Sequence, residues 1–345
     1  MLHPTSRPER GAFPTMQEIM DTAQRLSGKV LRTPVWRWRT GAAANLFDDN
    51  TEVWLKLELF QTTGTFKVRG ALNSIDALDV EARRRGVVAV SAGNHAVAVS
   101  YAAKLYGIHA KVAMPKHASP ARIAACRQFG AEVILLPDVH QAFERGRQIE
   151  AEEARTMVHP YDGPLIAQGT ATVGLELMKQ LPDIDAVLVP VGGGGLCAGI
   201  AAAVKQCAPS CAVYGVEPMG ADAMYRSFLA GRPERIEQVA TVADSLGAPY
   251  ALDYSFGVCR RFVDDIVRVA DNDICRAMYF LYRDMKLVAE PAAATATAAL
   301  LGPLRERLRG KRVALIVCGS NIDPTQFAEL LGRGAAHARG MEAMH

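Results

Sequence analysis

Four short stretches of this 345-residue chain carry groups arranged for chemistry. Lys67 stands in Thr63-Gly64-Thr65-Phe66-Lys67-Val68-Arg69-Gly70, a polar, threonine-rich loop at the start of a helical pattern. A lysine so placed is either a solvated surface group, as most are, or a nucleophile whose pKa is lowered by burial or a nearby cation. Phe66 and Arg69 allow the second, and the residues alone leave both open. The run Gly192-Gly193-Gly194-Gly195 follows an apolar strand pattern and opens a helix. Its backbone N–H groups can approach an anion unobstructed, and a helix N-terminus favours negative charge. It matches neither G-x-G-x-x-G with a following acidic residue nor G-x-x-x-x-G-K-[ST], so it suits a phosphate without specifying a dinucleotide or ATP. Close packing at a turn is the competing explanation.

Ser91-Ala92-Gly93-Asn94-His95 also joins a strand to a helix start. Free N–H groups there, with the Ser91 hydroxyl and the Asn94 amide, make a cradle for a carboxylate, although Asn94 could equally be an ordinary helix cap. His95 reads as a satisfied histidine of the first turn in preference to a base. Val317-Cys318-Gly319-Ser320-Asn321 ends the last strand and can present a small polar side chain to a ligand, or serve as a plain turn.

Elements of alternating type must hold these stretches. Apolar, β-branched runs at 87–91, 111–114, 132–136, 186–190, 211–216, 265–269 and 312–317 alternate with helical patterns. Those patterns cover 94–106, a helix opened by Ser119-Pro120, 139–154, 170–181, 196–207, 221–229, 273–286, 291–301 and 324–331. This alternation predicts an α/β fold with parallel strands, in which ligands sit at the carboxyl ends of strands. The length favours two domains. Residues 158–164, with Pro160, Asp162, Gly163 and Pro164, read as a crossing between them. Residues 231–262 read as irregular, the residues from Gly332 onward as a mobile tail, and Met1–Met16, broken by Pro4, Pro8 and Pro14, as a flexible arm.

The net charge of +3 implies no nucleic-acid partner. The run Arg83-Arg84-Arg85 reads as a solvated helix end capped by Gly86. There is neither a signal-peptide core nor an apolar stretch of spanning length, so no membrane partner is expected. Seven cysteines (126, 197, 207, 211, 259, 275, 318) form no C-x-x-C pair, which points to reduced, packed thiols in a cytoplasmic protein. Cys207 and Cys211 lack the nearby partners that a zinc site needs.

The segment Lys56-Leu-Glu58-Leu-Phe-Gln61-Thr-Thr-Gly64-Thr-Phe66-Lys67-Val-Arg69-Gly70-Ala71 closely resembles the pyridoxal-phosphate attachment motif of the serine/threonine dehydratases. These belong to the tryptophan-synthase-β-like, fold type II group. Ser91–His95, Gly192–Gly195 and Cys318–Asn321 are similar to that family's asparagine loop, phosphate cup and pyridine-nitrogen contact, in the same order, and the likeness runs from about Met16 to Leu331. It implies a large cofactor-binding domain of residues 1–80 and 160–345, and a small domain of 81–159 carrying the asparagine loop. It also implies a homodimer acting on a small amino-acid substrate.

By this resemblance Lys67 would hold the aldehyde of pyridoxal 5'-phosphate covalently. Phe66 would pack on the pyridine ring, Asn94 would bond its phenolic oxygen, and Gly192, Gly193, Gly194 and Gly195 would bind the phosphate. Cys318 would face the pyridine nitrogen; a neutral thiol there leaves that nitrogen largely unprotonated, favouring elimination over transamination. Ser91, Ala92, Asn94 and His95 would receive the substrate carboxylate. Lys67, displaced by the substrate amine, would take the Cα proton. The β-hydroxyl would leave as water, with the cofactor phosphate as proton donor, and the released enamine would hydrolyse to a 2-oxo acid and ammonia. The implied activity is a dehydratase/ammonia-lyase for threonine, serine or a bulkier analogue such as phenylserine. Another fold type II reaction (β-replacement, or breakdown of a compatible solute) and a non-catalytic ligand-binding homologue are the alternatives.

The chain departs from the family pattern in places. Ala92 stands where related serine racemases carry a second serine, which argues against racemisation. Glu217 and the Ala221 carbonyl fit a divalent-cation site of some members, but Ala223 replaces an expected carboxylate and Asp222 is one position off, so no metal is expected. His95-Ala96-Val97 replaces His-Ala-Gln, and Glu290-Pro-Ala-Ala-Ala294 lacks a glycine; both changes lie close to the expected site, where they would alter substrate choice. The unusual stretch Asp244–Phe256 would suit a bulkier substrate, and no C-terminal regulatory domain is expected.

Overall fold

The computed structural model describes residues 13–41, 43–47 and 50–342. The helices are α1 (Met16–Leu26), α2 (Lys67–Asp76), α3 (Val80–Arg85), α4 (Asn94–Leu105), α5 (Pro120–Gln128), α6 (Val139–Glu153), α7 (Pro164–Gln180), α8 (Gly195–Cys207), α9 (Ala223–Ala230), α10 (Asp253–Phe262), α11 (Asp271–Met285), α12 (Pro291–Leu301) and α13 (Pro324–Glu342). The strands are β1 (Val35–Trp38), β2 (Glu52–Lys56), β3 (Val87–Val90), β4 (Ala110–Pro115), β5 (Glu132–Leu136), β6 (Thr156–Met157), β7 (Ala186–Pro190), β8 (Ala212–Pro218), β9 (Asp265–Val269) and β10 (Arg312–Ile316).

Two sheets organise them. A six-stranded sheet runs β1-β2-β10-β7-β8-β9, parallel except for the antiparallel β1/β2 edge. A four-stranded sheet runs β5-β4-β3-β6 and is parallel throughout. The α/β class with mostly parallel sheets is therefore as the sequence predicts. All residues of β3 (Val-Val-Ala-Val) and β7 (Ala-Val-Leu-Val-Pro) are buried, as expected of strands covered by helices on both faces. Every residue of α12 is buried as well; a helix apolar all round can only sit inside a core. Each sheet has its own apolar cluster, one built on Val53, Leu188, Val213 and Leu315, the other on Val87, Val112, Leu72 and Val99. Burying one such side chain is worth ~1.5–3 kcal/mol.

Local signals explain several boundaries. Thr15 and Glu18 close a reciprocal capping box at α1. Gly86, at φ +84°, ends α3 as its arginine-rich last turn predicts. The flexible arm expected over Met1–Met16 falls, for residues 1–12, outside the described residues; Phe13 packs edge-on against Phe262 at 5.1 Å, and Met16 already opens α1.

Three expectations need correction. The tail expected from Gly332 is helical, because α13 continues to Glu342 and packs on α11. At Gly334 a Cβ would strike the Cys275 carbonyl, so this glycine permits close helix approach and does not break the helix. The irregular stretch 231–262 contains α10, whose Ser255 N–H is held by Asp162 Oδ1 at 2.8 Å. Helix α7 begins at Pro164, about two turns before Thr170, with proline in its first turn.

Candidate active site

A cleft of about 1250 Å³ is lined from both sheets and collects all four stretches singled out above. Its framework is backbone. Phe66 N–H donates to Cys318 O (3.2 Å) and Ser320 N–H to Gly64 O (2.9 Å), joining the lysine loop to the end of β10. Gly64 sits at φ +72°, and a Cβ there would lie 2.5 Å from Asn321 Oδ1. The first residue of α2 is Lys67, so the amine is positioned by a rigid helix start.

Lys67 is half-buried. Its Nζ donates to Pro160 O (2.5 Å) and lies 5.1 Å from the centre of the Phe66 ring. Burial lowers its pKa to about 8, against the opposing pull of Cys318 and Glu290. Arg69, two residues on, is wholly buried and bonds Glu58 (2.8 Å twice), Glu176 (2.8 and 2.9 Å), Thr172 (3.0 Å) and Leu31 O (3.1 Å).

The glycine run lies at the carboxyl end of β7 and the start of α8. As the first residues of a helix, Gly195, Leu196 and Cys197 leave their N–H groups without intrahelical acceptors. Gly194 takes φ +93°. A Cβ on Gly193 would fall inside the Tyr161 ring, and one on Gly195 would strike the Tyr161 carbonyl. The packing of Tyr161 thus demands glycine at 193 and 195, and leaves the backbone of the run open to an anion.

In the asparagine loop, Ser91 Oγ accepts from Gly93 N–H (3.0 Å). Ala92 is half-buried and lines the cleft. Asn94 does not cap α4; Gly93 occupies that place. Instead the Asn94 amide donates to both oxygens of Glu290 (2.9 and 3.1 Å), while its Oδ1 accepts from Asn321 Nδ2 (2.8 Å). His95 is buried and paired with Val158 O at 2.7 Å. Burial and the nearby Lys67 push its pKa down to about 3, so the ring is neutral and donates that bond. Cys318 is buried and its thiol is raised well above the ordinary value by burial and Glu290, hence neutral.

Glu217 lies elsewhere, buried at the end of β8. Its two oxygens accept from the N–H groups of Met224 (3.0 Å) and Tyr225 (2.6 Å) at the start of α9. Asp222 is taken up by Arg226 (2.7 Å) and Arg268 (2.9 Å), and Ala221 supplies only its backbone. Among the described residues no three acidic, histidine or cysteine side chains gather in one place.

The pyridoxal-phosphate-dependent enzyme model matches residues 26–319. The chain belongs to that family. A phenylserine dehydratase from Ralstonia pickettii is 53% identical over 82% of this chain and 87% of its own length. An L-threonine ammonia-lyase from Thermotoga maritima is 38% identical over 93% of this chain and 79% of its own. The solved structure of maize serine racemase superposes with a TM-score of 0.85 at 33% identity, over 94% of this chain and 98% of that one. The cofactor is pyridoxal 5'-phosphate, and this member of the family is a lyase of fold type II.

The residues present fit that cofactor. The glycine cradle suits its phosphate, the amine at Lys67 its aldehyde, and the neutral Cys318 its ring nitrogen. The sequence reading missed Pro160, whose carbonyl holds Lys67, and Tyr161, which covers the glycine run. The segment from Glu290, expected near the site, does line the cleft, but the bond of its carboxylate to Asn94 was not foreseen. Carbonyl contacts leave no trace in a sequence, and an acidic residue before proline at a helix start reads as an ordinary cap.

Proposed function

We propose that this enzyme dehydrates β-hydroxy-α-amino acids to 2-oxo acids and ammonia, with a bulky, aryl-bearing substrate of the phenylserine type preferred. The observation that carries the reading is the convergence on one cleft of a desolvated amine, an anion cradle and a carboxylate cradle. The resemblance to the Ralstonia phenylserine dehydratase supports the substrate class. So do two tyrosines on the cleft wall, Tyr161 and Tyr250, with ring centres 6.4 Å apart and planes tilted 58°; such edges and faces favour a further ring.

When bound, pyridoxal phosphate supplies the electron sink that makes the Cα proton removable. The Ser91–His95 loop receives the substrate carboxylate, fixing Cα against the Lys67 side. With its pKa near 8, Lys67 is largely able to act as a base at mildly alkaline pH and takes the Cα proton. The Cα–Cβ double bond forms as the β-hydroxyl departs with a proton as water, and the released enamine hydrolyses outside the cleft. Half-buried Ala92 offers no acid or base opposite Lys67, which supports elimination over racemisation. A homodimer in the cytoplasm belongs to the same reading, and the seven unpaired thiols fit it.

The test is 2-oxo acid release by the holoenzyme from serine, threonine and phenylserine. Phenylserine should give the highest kcat/KM, Lys67→Ala should give none, and Tyr250→Ala should lower kcat/KM for phenylserine more than for threonine. Failure of all three substrates while a β-replacement assay succeeds would defeat the reading.

A further inference from the structure

We infer that Glu290 is a positioning residue, whose ionised carboxylate holds the Asn94 amide in the orientation that serves the cofactor and whose protonation releases it. The inference rests on the chain being a pyridoxal-phosphate enzyme, and does not depend on which substrate it uses.

Glu290 is the residue before α12, yet its side chain makes no cap bond to that helix. It turns into the cleft instead, 2% exposed. Among the described residues no lysine, arginine or histidine forms an ion pair with it; both oxygens accept from one neutral amide, Asn94 Nδ2, and the Ser245 hydroxyl is a second neutral partner. An ionised carboxylate buried without a cation costs several kcal/mol unless hydrogen bonds compensate it or it takes up a proton. Its place is tight: a Cβ on Gly319 would lie 2.7 Å from Glu290 Oε1, and Glu290 N–H donates to Gly319 O (3.1 Å). The glycine after Cys318 therefore makes room for this carboxylate beside the ring-nitrogen contact.

The orientation of Asn94 follows from its partners. Asn321 Nδ2 donates to Asn94 Oδ1 and is itself anchored on Thr63 O (2.8 Å). That assigns Nδ2 to the Glu290 side. An amide NH2 has two hydrogens, so one can stay on Glu290 while the other serves the cofactor. Protonated Glu290 offers one acceptor less and a new donor, which Asn94 Nδ2 cannot accept. The amide then loses its charge-assisted hold.

Groups from each neighbouring element act on this carboxylate. Burial raises its pKa to about 7, and Asp244 adds to the rise. Asn94 from α4, Arg122 from α5 and the Ser245 hydroxyl oppose it. Lys67 and Cys318 face it from α2 and the end of β10. Arg122 is itself occupied by Asp244 (3.1 Å) and Asn321 O (2.9 Å).

The experiment follows the absorption band and the retention of bound cofactor in the holoenzyme from about pH 5.5 to 8.5, without substrate. Expected is an inflection near neutrality, with cofactor held about tenfold less tightly on the acid side, the size of one lost hydrogen bond to a charged group. Glu290→Gln should remove the inflection and fix the acid-side behaviour at every pH, while Glu290→Asp should restore it in part. Should Glu290→Gln fail to fold, Asn94→Ala must also lack the inflection. An inflection unchanged in either variant, or none in the wild type, overturns the inference. The proposed reaction is judged separately, by 2-oxo acid release from the wild-type holoenzyme, which a missing inflection leaves untouched.

Discussion

Replacing Arg69 with methionine tests how Lys67, the proposed anchor of the cofactor, is held. Arg69 fills the space between α2, the turn at Glu58 and α7, and every nitrogen of its guanidinium is bonded. Methionine keeps much of the volume and removes the charge. Glu176 keeps Lys56 as a partner at 2.8 Å. Glu58, with a fully buried side chain, keeps only the Thr33 hydroxyl at 2.5 Å. The stranded charge is therefore on Glu58, and removing one partner of a buried pair costs ~3–5 kcal/mol. Guanidinium unfolding of the holoenzyme, with slopes compared as well as midpoints, measures the loss. A cycle with Glu58→Gln locates it: the double variant should recover part of the stability lost in Arg69→Met. Cofactor retention should fall as well, because α2 begins at Lys67. A loss below ~1 kcal/mol, typical of an exposed pair, with no rescue by Glu58→Gln, would refute the argument. Arg69→Lys should be intermediate, since one ammonium cannot reproduce the planar fork that grips Glu58 twice.

Two further outcomes concern the cofactor's two ends. Gly193→Ala drives a methyl into the Tyr161 ring; overpacking of this kind costs ~1–3 kcal/mol. Titration of apoenzyme with pyridoxal phosphate should show weaker binding, partly restored by adding Tyr161→Ala; unchanged affinity would count against a tight cradle. At the ring nitrogen, Cys318→Ser should preserve the ratio of elimination to transamination. Cys318→Asp, placing a second carboxylate near Glu290, should raise side reactions, and an unaltered product ratio would sink the proposed role of a neutral group there.

Much of the scaffold can be read from the chain because it rests on local pattern. The buried runs 87–90 and 186–190 are continuous apolar strands, and Ser119-Pro120 and Gly86 mark helix ends through backbone geometry alone. Helix α13 escapes such reading because Gly332, Gly334 and Gly340 look like breakers, whereas Gly334 is there for the approach of α11. Strands β1 and β2 are short and carry Trp and charged residues at half-exposed positions, which blurs their alternation. At the site, Lys67 and the glycines stand out by residue type. The segment from Glu290 is placed near the site only by the resemblance, and its bond to Asn94, 196 positions away in sequence, cannot be read from the chain.

The contact between Tyr161 and the glycine run bears on how such a chain would change by descent. The glycines at 193 and 195 are required by a neighbouring tyrosine ring and carbonyl even when no phosphate is considered. A duplicated copy that lost its activity would keep them for folding alone. Lys67 has no comparable hold, since its side chain makes one bond, to a carbonyl oxygen. With Lys67 as the proposed anchor, the lysine and not the glycine signature would then be the mark that separates a working relative from a retired one.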